Sequence, residues 1–185
     1  MGVIERIINK IDRVNYRVGE VAIWFVLLMV VVQFLIVVVS KVFNFSNTGL
    51  DEIVWYSNGL IFMLGAGYTL LHNRHVRVDI FYNEAGYKYQ ALVDLFGSLC
   101  FILPVAVLTF GLSTNLVIDS WYNFNGGGWV LEGSDSPSGL PLLFLYKTVI
   151  WVYAFLIALA GISLAGKAWL YLSGRRGTYE LMQSG

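Results

Sequence analysis

Ionisable side chains inside or beside long apolar runs are the groups in this chain whose chemistry would matter most. Asp51 and Glu52 stand at the head of the run Leu50–Leu71, and Lys147 lies seven residues into the run Leu140–Leu172. A lysine roughly 10 Å along an apolar helix is costly unless it snorkels or meets an anion. An ion pair between Glu52 and Lys147, both entering from the same face, is the expected solution. The alternative is a substrate or proton site. Lys41 and Asp119 form a weaker candidate pair at that depth, and Asp94, near the inner end of the third run, is a candidate partner for Arg74 or Arg77.

His72 and His75 are three residues apart and would share a helix face. Metal ligation needs three or four ligands, and no third histidine exists. Haem in a helical bundle needs histidines on facing helices, whereas these two lie together at one helix end. Cys100 is the single cysteine, which excludes an internal disulfide and a CxxC redox site. No Ser/His/Asp set, Gly-rich phosphate loop or HExxH appears. The expectation is no catalytic residue, no metal and no cofactor.

The elements that must hold these groups are four apolar runs: Val21–Phe43, Leu50–Leu71, Ala91–Ile118 and Leu140–Leu172. Each is about 20 residues or longer, enough to cross a hydrocarbon core of about 30 Å at about 1.5 Å per residue. In lipid the backbone must satisfy its own hydrogen bonds, so the runs are read as helices. Mean hydropathy is +0.68 and 13% of residues are charged, both far from soluble averages. The fold class is therefore an all-α integral membrane protein, one four-helix domain over residues 1–185. With a net charge of zero, no nucleic-acid footprint exists.

Of twelve Lys and Arg residues, all but Lys41 and Lys147 fall at the termini or in the second loop. The positive-inside rule then puts both termini in the cytoplasm and the first and third loops outside. Residues 3–18 read as a separate amphipathic helix lying on the cytoplasmic leaflet and attracted by anionic lipid, with Ile4, Ile7, Ile8, Ile11, Val14 and Val18 at helical spacing. Its length and the lack of an Ala-x-Ala-like site speak against a cleaved signal. The third loop, with Trp121, Tyr122, Phe124 and Trp129, suits an interfacial aromatic belt. Small residues at Gly59, Gly65, Ala66 and Gly67, and at Ala154, Ala158, Gly161 and Ala165, permit close helix approach. Gly59, Gly67, Ala154, Ala158, Gly161 and Ala165 are the expected partner-packing faces. Pro104 should kink the third helix. There is no internal repeat, and the helix midplanes are nearly free of charge, which argues against a self-sufficient transporter of charged substrates.

Asp51-Glu52-Ile53-Val54-Trp55-Tyr56, then Phe62-Met63-Leu64-Gly65-Ala66-Gly67-Tyr68, then His75-Val76-Arg77-Val78-Asp79 resemble the small, DctQ-type membrane subunit of tripartite ATP-independent periplasmic (TRAP) transporters. Glu52, Gly65, His75, Arg77 and Asp79 match the family's pattern, while the glycine-rich third loop is longer than that pattern suggests. The resemblance implies a non-enzymatic scaffold subunit of a sodium-coupled importer of organic acids, of the C4-dicarboxylate or sialic-acid type, in a bacterial inner membrane. Its implied partners are a large multi-helix transport subunit on a separate chain, a soluble periplasmic binding protein and lipid. Trp129, Glu132 and Asp135 are the expected periplasmic docking residues. The alternatives are an autonomous homo-oligomeric transporter and a redox anchor binding haem or quinone.

Overall fold

The computed structural model describes residues 3–44, 47–71, 86–122, 128, 131–136 and 138–174. Among the described residues five α-helices follow one another: α1 Val3–Phe43, α2 Thr48–Leu71, α3 Tyr87–Gly97, α4 Leu103–Trp121 and α5 Leu143–Leu172. A π-helical turn, Ser98–Ile102, joins α3 to α4 without a break. Helix ends follow local chemistry. Asn44 takes the left-handed conformation (φ 48°) that ends α1, a role asparagine tolerates well. Asn47 opens α2, its side-chain Oδ1 accepting from the Gly49 N–H at 2.8 Å. Gly174 (φ 92°) closes α5, with the Gly174 N–H donating to the Tyr171 carbonyl.

The π turn has a cause. Pro104 has no N–H and sits in the first turn of α4, so one ladder bond is absent there in any case. The ladder widens instead, and the Leu103 N–H donates to the Ser98 carbonyl five residues back. The Ser98 hydroxyl closes the previous turn on the Asp94 carbonyl at 2.5 Å. The expected kink at Pro104 thus takes the form of a π turn just ahead of it, which carries Ile102 and Leu103 onto Gly161 of α5.

α5 is the hub. It packs on α1, α2, α3, α4 and the π turn, whereas α2 and α4 make at most marginal contact with each other. Its buried residues run from Phe144 through Ala154, Ala160, Gly161 and Leu164 to Leu170. α1 pairs with α2 and touches α5, and its remaining surface is apolar and outward, with Trp24 and Phe34 each 70% exposed. An apolar surface of that extent on a long helix belongs against lipid or another membrane chain.

Among the described residues three helical stretches are long and apolar enough to cross a membrane: Ile4–Phe43, Tyr87–Trp121 and Leu143–Leu172. α2 has the length, at 24 residues, but Tyr56, Ser57, Asn58, Thr69 and its glycines dilute its apolarity. The separate amphipathic helix expected over residues 3–18 is corrected. α1 is continuous from Val3 to Phe43, because Gly19 carries no break: a side chain there would meet the Tyr68 ring at 2.7 Å, so glycine serves close packing. Ile8, Asn15 and Ala22 on the same face are buried, with Ile8 lying against Gly166 of α5.

Candidate functional site

The densest polar construction lies where the 131–142 loop crosses the ends of α2, α4 and α5. Helix ends leave carbonyls and N–H groups unsatisfied, and this loop supplies their partners. The Glu132 N–H donates to the Ser120 carbonyl of α4 at 3.0 Å. The Glu132 carbonyl accepts from the Phe144 N–H of α5 at 3.2 Å. Its carboxylate accepts from Lys147 Nζ at 2.6 Å and 2.5 Å. One residue therefore ties α4 to α5 through both backbone and side chain.

Glu52, from the first turns of α2, clasps the same loop from the other side. Its Oε1 accepts from the Ser134 hydroxyl and its Oε2 accepts from the Leu140 N–H at 2.6 Å. Charge-assisted bonds of this kind are short and strong. The Ser134 N–H donates to the Leu140 carbonyl at 3.2 Å, closing the loop on itself. Gly139 lies against Ser134 and Glu52, where no Cβ would fit. Below the loop, Tyr56 and Tyr146 stack at 4.8 Å, and the Trp121 indole N–H donates to Thr148 Oγ1 at 2.8 Å. A recess of 450 Å³ opens beside the clasp between Gln33, Thr48, Asp51, Trp55 and Ser136.

The expected Glu52–Lys147 pair is corrected by this geometry. Both residues are near the loop, but Lys147 takes Glu132, 15 residues upstream, and Glu52 takes loop donors instead. The reason is reach. The loop folds back across the top of α5 and brings Glu132 to Lys147 first. Asp135 is exposed on the same loop. Lys41 and Asp119 are exposed, and neither forms an ion pair among the described residues. Trp129, His72, His75, Arg77 and Asp79, with Arg74, lie outside the described residues.

The small residues expected to face a partner mostly face the chain itself. A side chain at Gly59 would collide with the Tyr146 ring, and one at Gly67 with Asn15 and the Leu156 carbonyl. Ala154 is 2% exposed, and Gly161 lies under Ile102 of the π turn, while Ala158 and Ala165 are half-buried. Gly65 differs: nothing lies within 4 Å of where its Cβ would stand. The adjacent Ala66 lines an apolar groove of 330 Å³, with Leu70, Phe101, Ile102, Val105 and Ile157.

A second polar group, not anticipated from sequence, joins the two ends of the chain. Lys167 of α5, 6% exposed, pairs with Asp12 of α1 at 2.8 Å, and the Ser163 hydroxyl donates to the same carboxylate. The signal was present in the spacing. Ser163 and Lys167 are four residues apart on α5, and Asp12 shares a helix face with buried Ile8 and Asn15.

Neither construction assembles a nucleophile with a base, and the carboxylates of Glu52, Glu132 and Asp12 each hold a donor. What the clasp does is fix a loop. No curated protein and no solved structure matches the chain. A family model does, over residues 27–170: "Tripartite ATP-independent periplasmic transporters, DctQ component". That stretch contains α2 to α4, α5 up to Leu170, both clasp carboxylates and α1 from Leu27 onward. With most of its length matched, the chain belongs to the DctQ family, the small membrane component of TRAP transporters.

Proposed function

We propose that this chain is the stationary subunit of a sodium-coupled importer of organic acids. It packs against a separate large transport subunit and presents the clasped 131–142 loop toward a periplasmic binding protein. The family match carries this reading. The distribution of Lys and Arg supports an orientation with both termini in the cytoplasm and α2 as a fourth span. The loop would then be periplasmic, and Glu132 and Asp135 would stand on the docking side. An anchored loop suits docking because a rigid surface loses less conformational freedom on binding. The apolar flank of α1, and the groove beside Gly65, are the surfaces this chain leaves for the large subunit.

A tagged chain, drawn from its native membrane in mild detergent, tests the reading. Co-purification of a stoichiometric polytopic chain, identified by mass spectrometry, is the expected result. Recovery of a monodisperse homo-oligomer alone overturns it in favour of an autonomous transporter.

A further inference from the structure

Four cations mark the first half of α1: Arg6, Lys10, Arg13 and Arg17. At 100° per residue they fall within an arc of about 60°, in one stripe roughly 16 Å long. All four are exposed, and none forms an ion pair among the described residues. The face buried in the bundle, formed by Ile8, Asn15, Gly19 and Ala22, lies on the opposite side of the helix, roughly 170° away. Packing therefore points the stripe outward.

Asp12 and Glu20 do not neutralise it. Asp12 is turned inward onto Lys167 and Ser163. Glu20 lies at the edge of the stripe and accepts from the Tyr16 hydroxyl. Beside the stripe, Ile7, Val14 and Val21 form an exposed apolar rail, with Val14 46% and Ile7 53% accessible. Arg17 is four residues, about 6 Å, from Val21, where a charge-free stretch runs to Ser40. The stripe begins within a headgroup's depth of the hydrocarbon boundary. α1, about 60 Å long, is about twice the thickness of the bilayer core, so its first half must lie in or against the interface or tilt toward it.

We infer that this stripe is a binding surface for anionic phospholipid headgroups. Cations with no ion pair among the described residues, an apolar rail beside them and continuity with a membrane span together fit a lipid whose phosphate meets Arg and Lys while its chains meet Ile7, Val14 and Val21. The inference rests on the membrane character of the helix and not on the transport role.

The test uses the purified full-length chain in detergent with added phosphatidylglycerol or phosphatidylcholine, read by native mass spectrometry and thermal unfolding. The wild type is expected to retain phosphatidylglycerol preferentially, to gain melting temperature from it, and to lose both on raising salt. A variant carrying Arg6→Gln, Lys10→Gln, Arg13→Gln and Arg17→Gln is expected to melt like the wild type in phosphatidylcholine and to lose the preference. Each neutralised cation near the surface should weaken retention roughly fivefold. If the fourfold variant does not fold, the Arg13→Gln/Arg17→Gln pair gives the same readout. Equal retention of the two lipids by the wild type overturns the inference. So does unchanged preference in the variant, or a variant that keeps its lipid but no longer recovers a large membrane chain, which would assign the stripe to protein.

Discussion

Lys167 is the residue whose partner the bundle can least afford to lose. Its ammonium is buried, and Asp12→Ala would remove the carboxylate it meets at 2.8 Å, at a cost of about 3 kcal/mol. Replacing both, as Asp12→Leu with Lys167→Met, should recover most of that loss, because the two desolvation penalties disappear together. Thermal unfolding of the purified variants measures both. At the other end Lys147 and Glu132 are partly exposed, so Glu132→Ala should cost only about 1 kcal/mol. Glu52→Gln should act locally. It replaces the acceptor of the Leu140 N–H with an amide of weaker or reversed polarity, and limited proteolysis should then cut within residues 131–142 faster than in the wild type. These pairings show where sequence reading stops at the side-chain scale. Lys147 and Glu52 announce themselves as polar groups at apolar run ends, but the partner of Lys147 sits in a loop with no periodicity to place it. Asp12 was hidden differently: read as part of a surface arm, its facing residue on α5 could not be guessed.

Glycines separate two uses of a missing side chain. Gly59→Ala and Gly67→Ala should destabilise the chain by about 1–3 kcal/mol through overpacking against Tyr146 and Asn15. Gly65→Ala should leave it unchanged or stabilise it by up to about 1 kcal/mol, since nothing opposes the methyl group and alanine favours the helix. If the same Gly65→Ala protein loses its large subunit in the pull-down, the open site is where that subunit approaches. Pro104→Ala should bring none of the ~3 kcal/mol by which alanine outranks proline inside a helix, because proline here occupies a first turn behind a π turn. Elements were the most readable level. Runs of apolar residues located α2, the α3–α4 stretch and α5, since hydropathy reports burial in lipid directly. The join between residues 3–18 and the first span was not readable, because Gly19 looks like a breaker until Tyr68 is placed beside it.

For the whole molecule, the arrangement around α5 decides what kind of object this is. α1, α2, α3 and α4 all lean on α5, so removing residues 143–172 should leave the α1–α2 pair and the continuous α3–α4 helix as two separate pieces. Proteolysis of such a truncated chain in membranes should be far faster than that of the full chain. Among the described helices, the central one is also the last to be synthesised. Asp12 and Ser163 are 151 positions apart, so the carboxylate in the third turn of α1 waits through the synthesis of that whole stretch before its hydroxyl and ammonium partners leave the ribosome. Until then Asp12 must stay wet, which holds the start of α1 at the water boundary while the other helices insert. The final ion pair thus acts as a latch on biogenesis: chains that stall before α5 keep an uncompensated acidic group and an open apolar flank, the two marks by which membrane quality control could tell an unfinished copy from a finished one.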